Sequence, residues 1–144
     1  VVLNRGISGD NAKGVLNRIE EVVQRKPAEV YLMIGVNDIP SNQIEDYEEN
    51  VRSIVQAFSK DETKVFLQSI LPVNNDIYGN AISNGNIFSF NEVLKVIASE
   101  TGADYLDLNS NFVDSDGQLK KEFTIDGIHL TGAGYEEWMK HINQ

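Results

Sequence analysis

With 144 residues the chain fits one domain, long enough to bury roughly two-thirds of its unfolded surface around a single core. A formal net charge of -10 argues against nucleic acid or an anionic membrane as partner, since either needs a basic face. The absence of cysteine excludes disulfides, thiolate metal sites and a cysteine nucleophile, and no apolar run reaches the about 18 residues of a membrane span.

The chain opens on "VVLNRG", residues 1 to 6, a short apolar run that reads as a strand ending in a glycine-bearing turn. Val1 comes with no initiator methionine and no signal-peptide pattern, so the chain is expected to begin partway through a longer protein. Compartment is left open, with secreted, periplasmic and cytoplasmic locations all compatible. Asp10 then offers an N-cap for a helix through about Arg25, along which Val15, Leu16, Ile19, Val22 and Val23 form one apolar stripe. Pro27 stops it. "EVYLMIG" (29 to 35) is a nearly continuous apolar run, as in a strand covered on both faces.

A second helix is expected from about Gln43 to Phe58, and "KVFLQSILP" (64 to 72) reads as another buried strand. An Asn-rich polar loop from Val73 to Asn86 follows, long enough to suspect a functional role. The third helix spans about Ile87 to Thr101 with Gly102 as its C-cap, "ADYLDL" (103 to 108) is the fourth strand, and a last helix runs from about Gly132 to Ile142. Strand and helix alternate, which implies parallel strands, right-handed crossovers and a three-layer α/β domain. Its ligand site should lie beyond the carboxyl ends of the strands.

Three segments fall there. "GISGDN" ends a strand and opens a helix, so its backbone N–H groups are expected to face the site, and Gly9 permits close approach of a ligand oxygen. The plainer reading is a capped turn. "GVND" puts Asn37 just past a buried strand, where its amide can donate to a developing oxyanion or simply start an Asx-turn. "DGIH" sets Asp126 three residues before His129 with Gly127 between, a spacing that lets a carboxylate fix the tautomer of an imidazole base. A two-ligand metal site and a purely structural Asp–His contact are the other readings. His141 reads as a surface residue near a helix C-terminus.

Together, "NRGISGDN", "GVND" and "DGIHL" resemble three of the four blocks of the SGNH hydrolases, the GDSL esterases and lipases, in order over essentially the whole chain. "QSILPVN" and "DGIHLTGAGY" are similar to bacterial platelet-activating-factor-acetylhydrolase-like enzymes and carbohydrate O-acetylesterases. The resemblance implies an α/β/α sandwich with a flavodoxin-like parallel sheet, and a serine esterase acting on small acyl esters, foremost acetyl esters of a carbohydrate or lipid. It assigns Gly9 and Asn37 to the oxyanion hole, His129 to general base and Asp126 to its orienting partner. It implies no metal or organic cofactor, and a small acyl ester as the partner molecule. The family's nucleophile block lies upstream of "GISGDN", yet only eight residues precede Gly9, and Ser8, Ser69 and Ser83 do not fit its motif. The family's first, central strand is therefore expected to come from an upstream segment or from a second copy, which would make a homodimer. Without it, residues 1 to 4 should not pair with 30 to 34, and the chain alone should show little turnover. The readings that compete with the esterase are a non-catalytic module of the same fold and a mononucleotide binder, although no phosphate-loop fingerprint is present.

Overall fold

A computed structural model describes residues 1–142. Three parallel strands form its sheet in the order β1 (Glu29–Leu32), β2 (Lys64–Gln68) and β3 (Asp104–Leu106). Val30 pairs with Val65 and Phe66 with Asp104, so the middle strand carries both ladders. Each crossover is helical, as parallel pairing demands. The helices are α1 (Ala12–Asn17), α2 (Ile19–Val23), α3 (Ile44–Ala57), α4 (Asn75–Tyr78), α5 (Asn84–Thr101), α6 (Asn109–Phe112) and α7 (Gly132–Ile142).

Alternation along the strands sorts the two faces of the sheet. Val65 and Leu67 turn toward Val51, Ile54 and Val55 of α3, Phe58 just past its end, and Leu94, Ile97 and Ala98 of α5, which together make the core. Each large side chain buried there contributes about 1.5–3 kcal/mol. Gln68, on the opposite face, accepts a hydrogen bond from Trp138 Nε1 of α7 at 2.8 Å. Helices therefore flank both faces, and the arrangement is a three-layer α/β/α sandwich around a small parallel sheet.

Sequence and structure differ in three places. Residues 1–6 form no strand, and Val1 and Val2 are fully exposed. A strand needs a neighbour for its N–H and C=O groups, and among the described residues none lies beside this run or beside the outer edge of β1. Residues 1–4 accordingly do not pair with 30–34.

The helix expected over 10–25 is broken at Arg18, and its N-cap is Asn11 rather than Asp10. Asp10 instead holds the Arg18 guanidinium at 2.9 Å, while another Arg18 nitrogen reaches the Arg5 carbonyl at 2.9 Å. This tertiary pairing coincides with the interruption of an otherwise continuous helical pattern.

The stretch 73–86 is less of a loop than its composition implies. It contains α4, and α5 begins at Asn84 because Ser83 Oγ accepts from the N–H groups of Gly85 and Asn86 at 3.1 and 3.3 Å. Amide side chains do the work of backbone around it. Asn84 exchanges two hydrogen bonds with Val73 at 2.9 Å each, and Asn91 exchanges two with Ile70 at 2.7 and 3.0 Å. Gly102 caps α5 with a positive φ, as expected.

Candidate active site

The segments leaving the three strands share the carboxyl edge of the sheet. Past β1, Gly35 adopts φ +142°, and no side chain fits there, since a Cβ would stand 2.4 Å from Ile70 Cδ1 and 2.9 Å from the Tyr47 hydroxyl. Tyr47 is buried, donates to the Ile34 carbonyl at 2.8 Å, and so fixes where the strand ends and "GVND" begins. Burial pushes its phenol well above the usual tyrosine range, keeping it a neutral donor.

"GVND" and "GISGDN" are tied directly. The Asn37 side-chain amide donates to the Asp10 carbonyl at 2.8 Å, which leaves its second N–H available. Asp38 accepts the Ala12 N–H through both carboxylate oxygens, at 3.1 and 3.3 Å. Burial is the main cause raising the Asp38 carboxyl above its ordinary range, offset by that N–H. Two first-turn N–H groups of α1 itself are taken: Asp38 accepts that of Ala12, and Asn11 Oδ1 accepts that of Gly14 at 2.8 Å. Gly9 differs. It sits at φ +79° with open space beside its Cα, and its N–H makes no hydrogen bond among the described residues.

The "DGIH" turn is braced from within. Asp126 Oδ1 accepts the N–H groups of Ile128 and His129 at 3.0 and 2.8 Å, while Oδ2 meets His129 Nδ1 at 2.6 Å. These contacts, the His129 N–H first, hold the Asp126 carboxyl far below the usual carboxylate range. An ionised carboxylate only accepts, so Nδ1 carries the proton and Nε2 is the basic nitrogen. The His129 side chain is 80% exposed, and Nε2 makes no hydrogen bond among the described residues.

Two residues that the motifs do not mark complete the brace. Thr124, only 5% exposed, accepts the Gly127 N–H at 2.9 Å and donates to the His129 carbonyl at 2.8 Å. Asn74 N–H donates to the Gly127 carbonyl at 2.8 Å, docking the turn on the β2 exit and α4. The Asn-rich composition of 73–86 was the only signal for Asn74; Thr124 had none.

Asn37 is thus tied to the Gly9 segment through the Asp10 carbonyl, and Asp126 to His129 directly, with no hydrogen bond between the two groups among the described residues. The serines serve structural ends. Ser69 Oγ is buried and accepts from Leu108 and Asn109 N–H at 2.9 and 2.8 Å, and Ser83 caps α5. His141 is half-buried, not a free surface residue, and meets Glu137 at 3.0 Å. Among the described residues no group of three or more His, Cys, Asp or Glu could hold a metal ion, and no helix is long and apolar enough to cross a membrane.

Such a frame, polar loops gathered at the carboxyl edge of a parallel sheet, is that of an α/β protein, a class whose ligands bind at that edge. The model of the GDSL-like Lipase/Acylhydrolase family matches residues 1–137, and the chain belongs to that family. It is similar to the platelet-activating factor acetylhydrolase IB subunit alpha2 of Rattus norvegicus, 29% identical over 99% of this chain and 62% of that protein. It is also 29% identical to a multidomain esterase of Ruminococcus flavefaciens, over 90% of this chain and 18% of the relative. A solved GDSL-like lipase from Bacteroides thetaiotaomicron superposes with a TM-score of 0.85 at 28% identity, covering 97% of this chain and 72% of that one. The chain therefore spans 62% of the length of the acetylhydrolase subunit it matches.

Proposed function

We propose that this chain supplies the base and oxyanion-stabilising parts of a serine esterase that hydrolyses small acyl esters, foremost acetyl esters of a carbohydrate or lipid. The observation that carries the reading is the 2.6 Å contact of Asp126 with His129 Nδ1, which leaves a basic Nε2 open to the carboxyl edge. The matched acetylhydrolase subunit supports the acetyl preference.

In this reading a serine from sequence outside residues 1–144 attacks the acyl carbonyl while His129 Nε2 takes its proton. Asp126 stabilises the imidazolium that forms. The Gly9 N–H and the free Asn37 N–H hold the oxyanion, His129 returns the proton to the leaving alcohol, and water resolves the acyl-enzyme by the same route. The unpaired edge of β1 and the exposed residues 1–6 support a missing neighbouring strand. Supplied by a second copy, that strand makes the active form a homodimer.

The test is intact mass of the full-length protein before and after treatment with a fluorophosphonate. One covalent adduct on a serine, lost in His129→Ala, supports the esterase. No adduct on a folded full-length protein sinks it. That outcome favours a second reading, a non-catalytic module of the same fold.

Asn37→Ala is expected to lower kcat about a hundredfold to a thousandfold with little change in KM, measured on a chromogenic acetyl ester. A loss confined to KM would remove Asn37 from the oxyanion hole.

Acid affects the turn in a definite sense. Because the folded-state carboxyl of Asp126 is depressed, its stabilising contribution is complete above the ordinary value of 3.8 and is lost only as pH falls well below it. The carboxyl-linked movement of the Ile128 and His129 amide resonances should be absent at pH 3.8 and set in only well below it. Movement tracking an ordinary carboxylate would show that these contacts do not persist in solution.

A further inference from the structure

The carboxyl edge carries a recess, a cavity of about 300 Å³ between α5 and the segment leaving β3. Phe88, Glu92 and Lys95 line it from one face of α5, at four- and three-residue spacing. Tyr105, Asp107 and Ser110 line it from the other side. Pro72 and Asn84 also border it, and both adjoin Val73, the one by sequence and the other through its paired hydrogen bonds. The next residue, Asn74, holds the Gly127 carbonyl. A single extended segment therefore links the recess to the Asp126–His129 turn.

The lining restricts what fits. Lys95 Nζ lies 2.6 Å from Glu92 and 5.7 Å from the Tyr105 ring centre, so its charge is already compensated. Ser110 Oγ donates to Asp107 at 2.5 Å. An anion would face two carboxylates against one paired ammonium, and a wholly apolar molecule would strip water from those groups without replacing its hydrogen bonds. Phe88 nonetheless stands 64% exposed at the border of this polar recess. An apolar plate beside hydrogen-bond acceptors suits a ligand with one C–H face and several hydroxyl donors.

We propose that this recess binds a neutral sugar ring, one unit of an oligosaccharide whose ester reaches the His129 turn. Its link to catalysis rests on the esterase reading above. The Phe88 ring stacks on the C–H face, while Glu92 Oε2, which has no partner among the described residues, and the remaining lone pairs of Asp107, whose two oxygens already accept from Ser110, accept hydroxyl protons. At about 300 Å³ the recess is at the small end of ligand sites, which suits one ring better than a long chain.

The test is a titration of the isotope-labelled protein with xylotetraose, followed through backbone amide shifts, beside an assay of acetyl-ester turnover by the full-length protein. Shifts clustered on Phe88, Glu92, Lys95, Asp107 and Ser110 are expected, with Phe88→Ala and Asp107→Ala each weakening binding about tenfold or more. Shifts absent, or scattered elsewhere, or unaffected by both substitutions, overturn the proposal. Turnover without sugar contacts at the recess removes the subsite and leaves the esterase standing. Sugar contacts without turnover keep the subsite and remove the esterase.

Discussion

Replacing His129 by alanine is expected to lower kcat/KM of the full-length protein about ten-thousandfold or more, with its unfolding midpoint nearly unchanged. The separation of the two effects follows from geometry. His129 is mostly exposed and contributes its ring only to Asp126, so little packing is lost with it. The internal brace of the turn survives, because Asp126 Oδ1 bonds to backbone N–H groups and Thr124 to the Gly127 N–H and the His129 carbonyl. What disappears is the only imidazole at this edge, since His141 is held by Glu137 near the end of α7. Turnover retained at more than a small fraction would mean that another group takes the proton.

Gly127→Ala should act the other way, destabilising the protein by about 2–4 kcal/mol, a drop in Tm of roughly 5 to 15 °C. Two causes add. Gly127 sits at φ +87°, a conformation that costs an L-residue about 1–2 kcal/mol. A Cβ there would also stand 2.7 Å from Tyr78 N and 2.8 Å from the Asn74 carbonyl oxygen, both backbone atoms that cannot rotate aside. Gly102→Ala isolates the first cause, because Gly102 sits in the left-handed region at φ +79° with nothing within 4 Å of the added carbon. Calorimetry on the two variants should find the Gly127 substitution clearly the worse. Equal losses would mean that the turn does not press against α4 in solution.

The motif residues were legible because each reports a local demand. Asp126 to His129 closes within one turn, and the positive φ of Gly9 and Gly127 is what glycine permits at such bends. The parallel frame was legible too, since buried strands and amphipathic helices announce themselves by period. Residues whose partners are distant in sequence were not. Arg18 leaves the helical pattern for Asp10, eight residues back, and nothing in the apolar stripe records that. Asp38 looked like half of an Asn-Asp turn but caps α1 across 26 residues. The run 1–6 had the composition of a strand, and the structure assigns none because pairing needs a second strand as well as a first.

The two ladders also say something about how this molecule assembles. Val30 meets Val65 and Phe66 meets Asp104, so each ladder closes a span of more than thirty residues, and β2 must be in place for either. Long spans are entropically slow to close, which puts the frame among slow, non-local folders. The turn from Thr124 to His129 needs only its own residues and closes on the timescale of a short loop, on the order of 10–100 ns. The Asp126–His129 pair can therefore form many times in an unfolded chain before there is a sheet edge to present it.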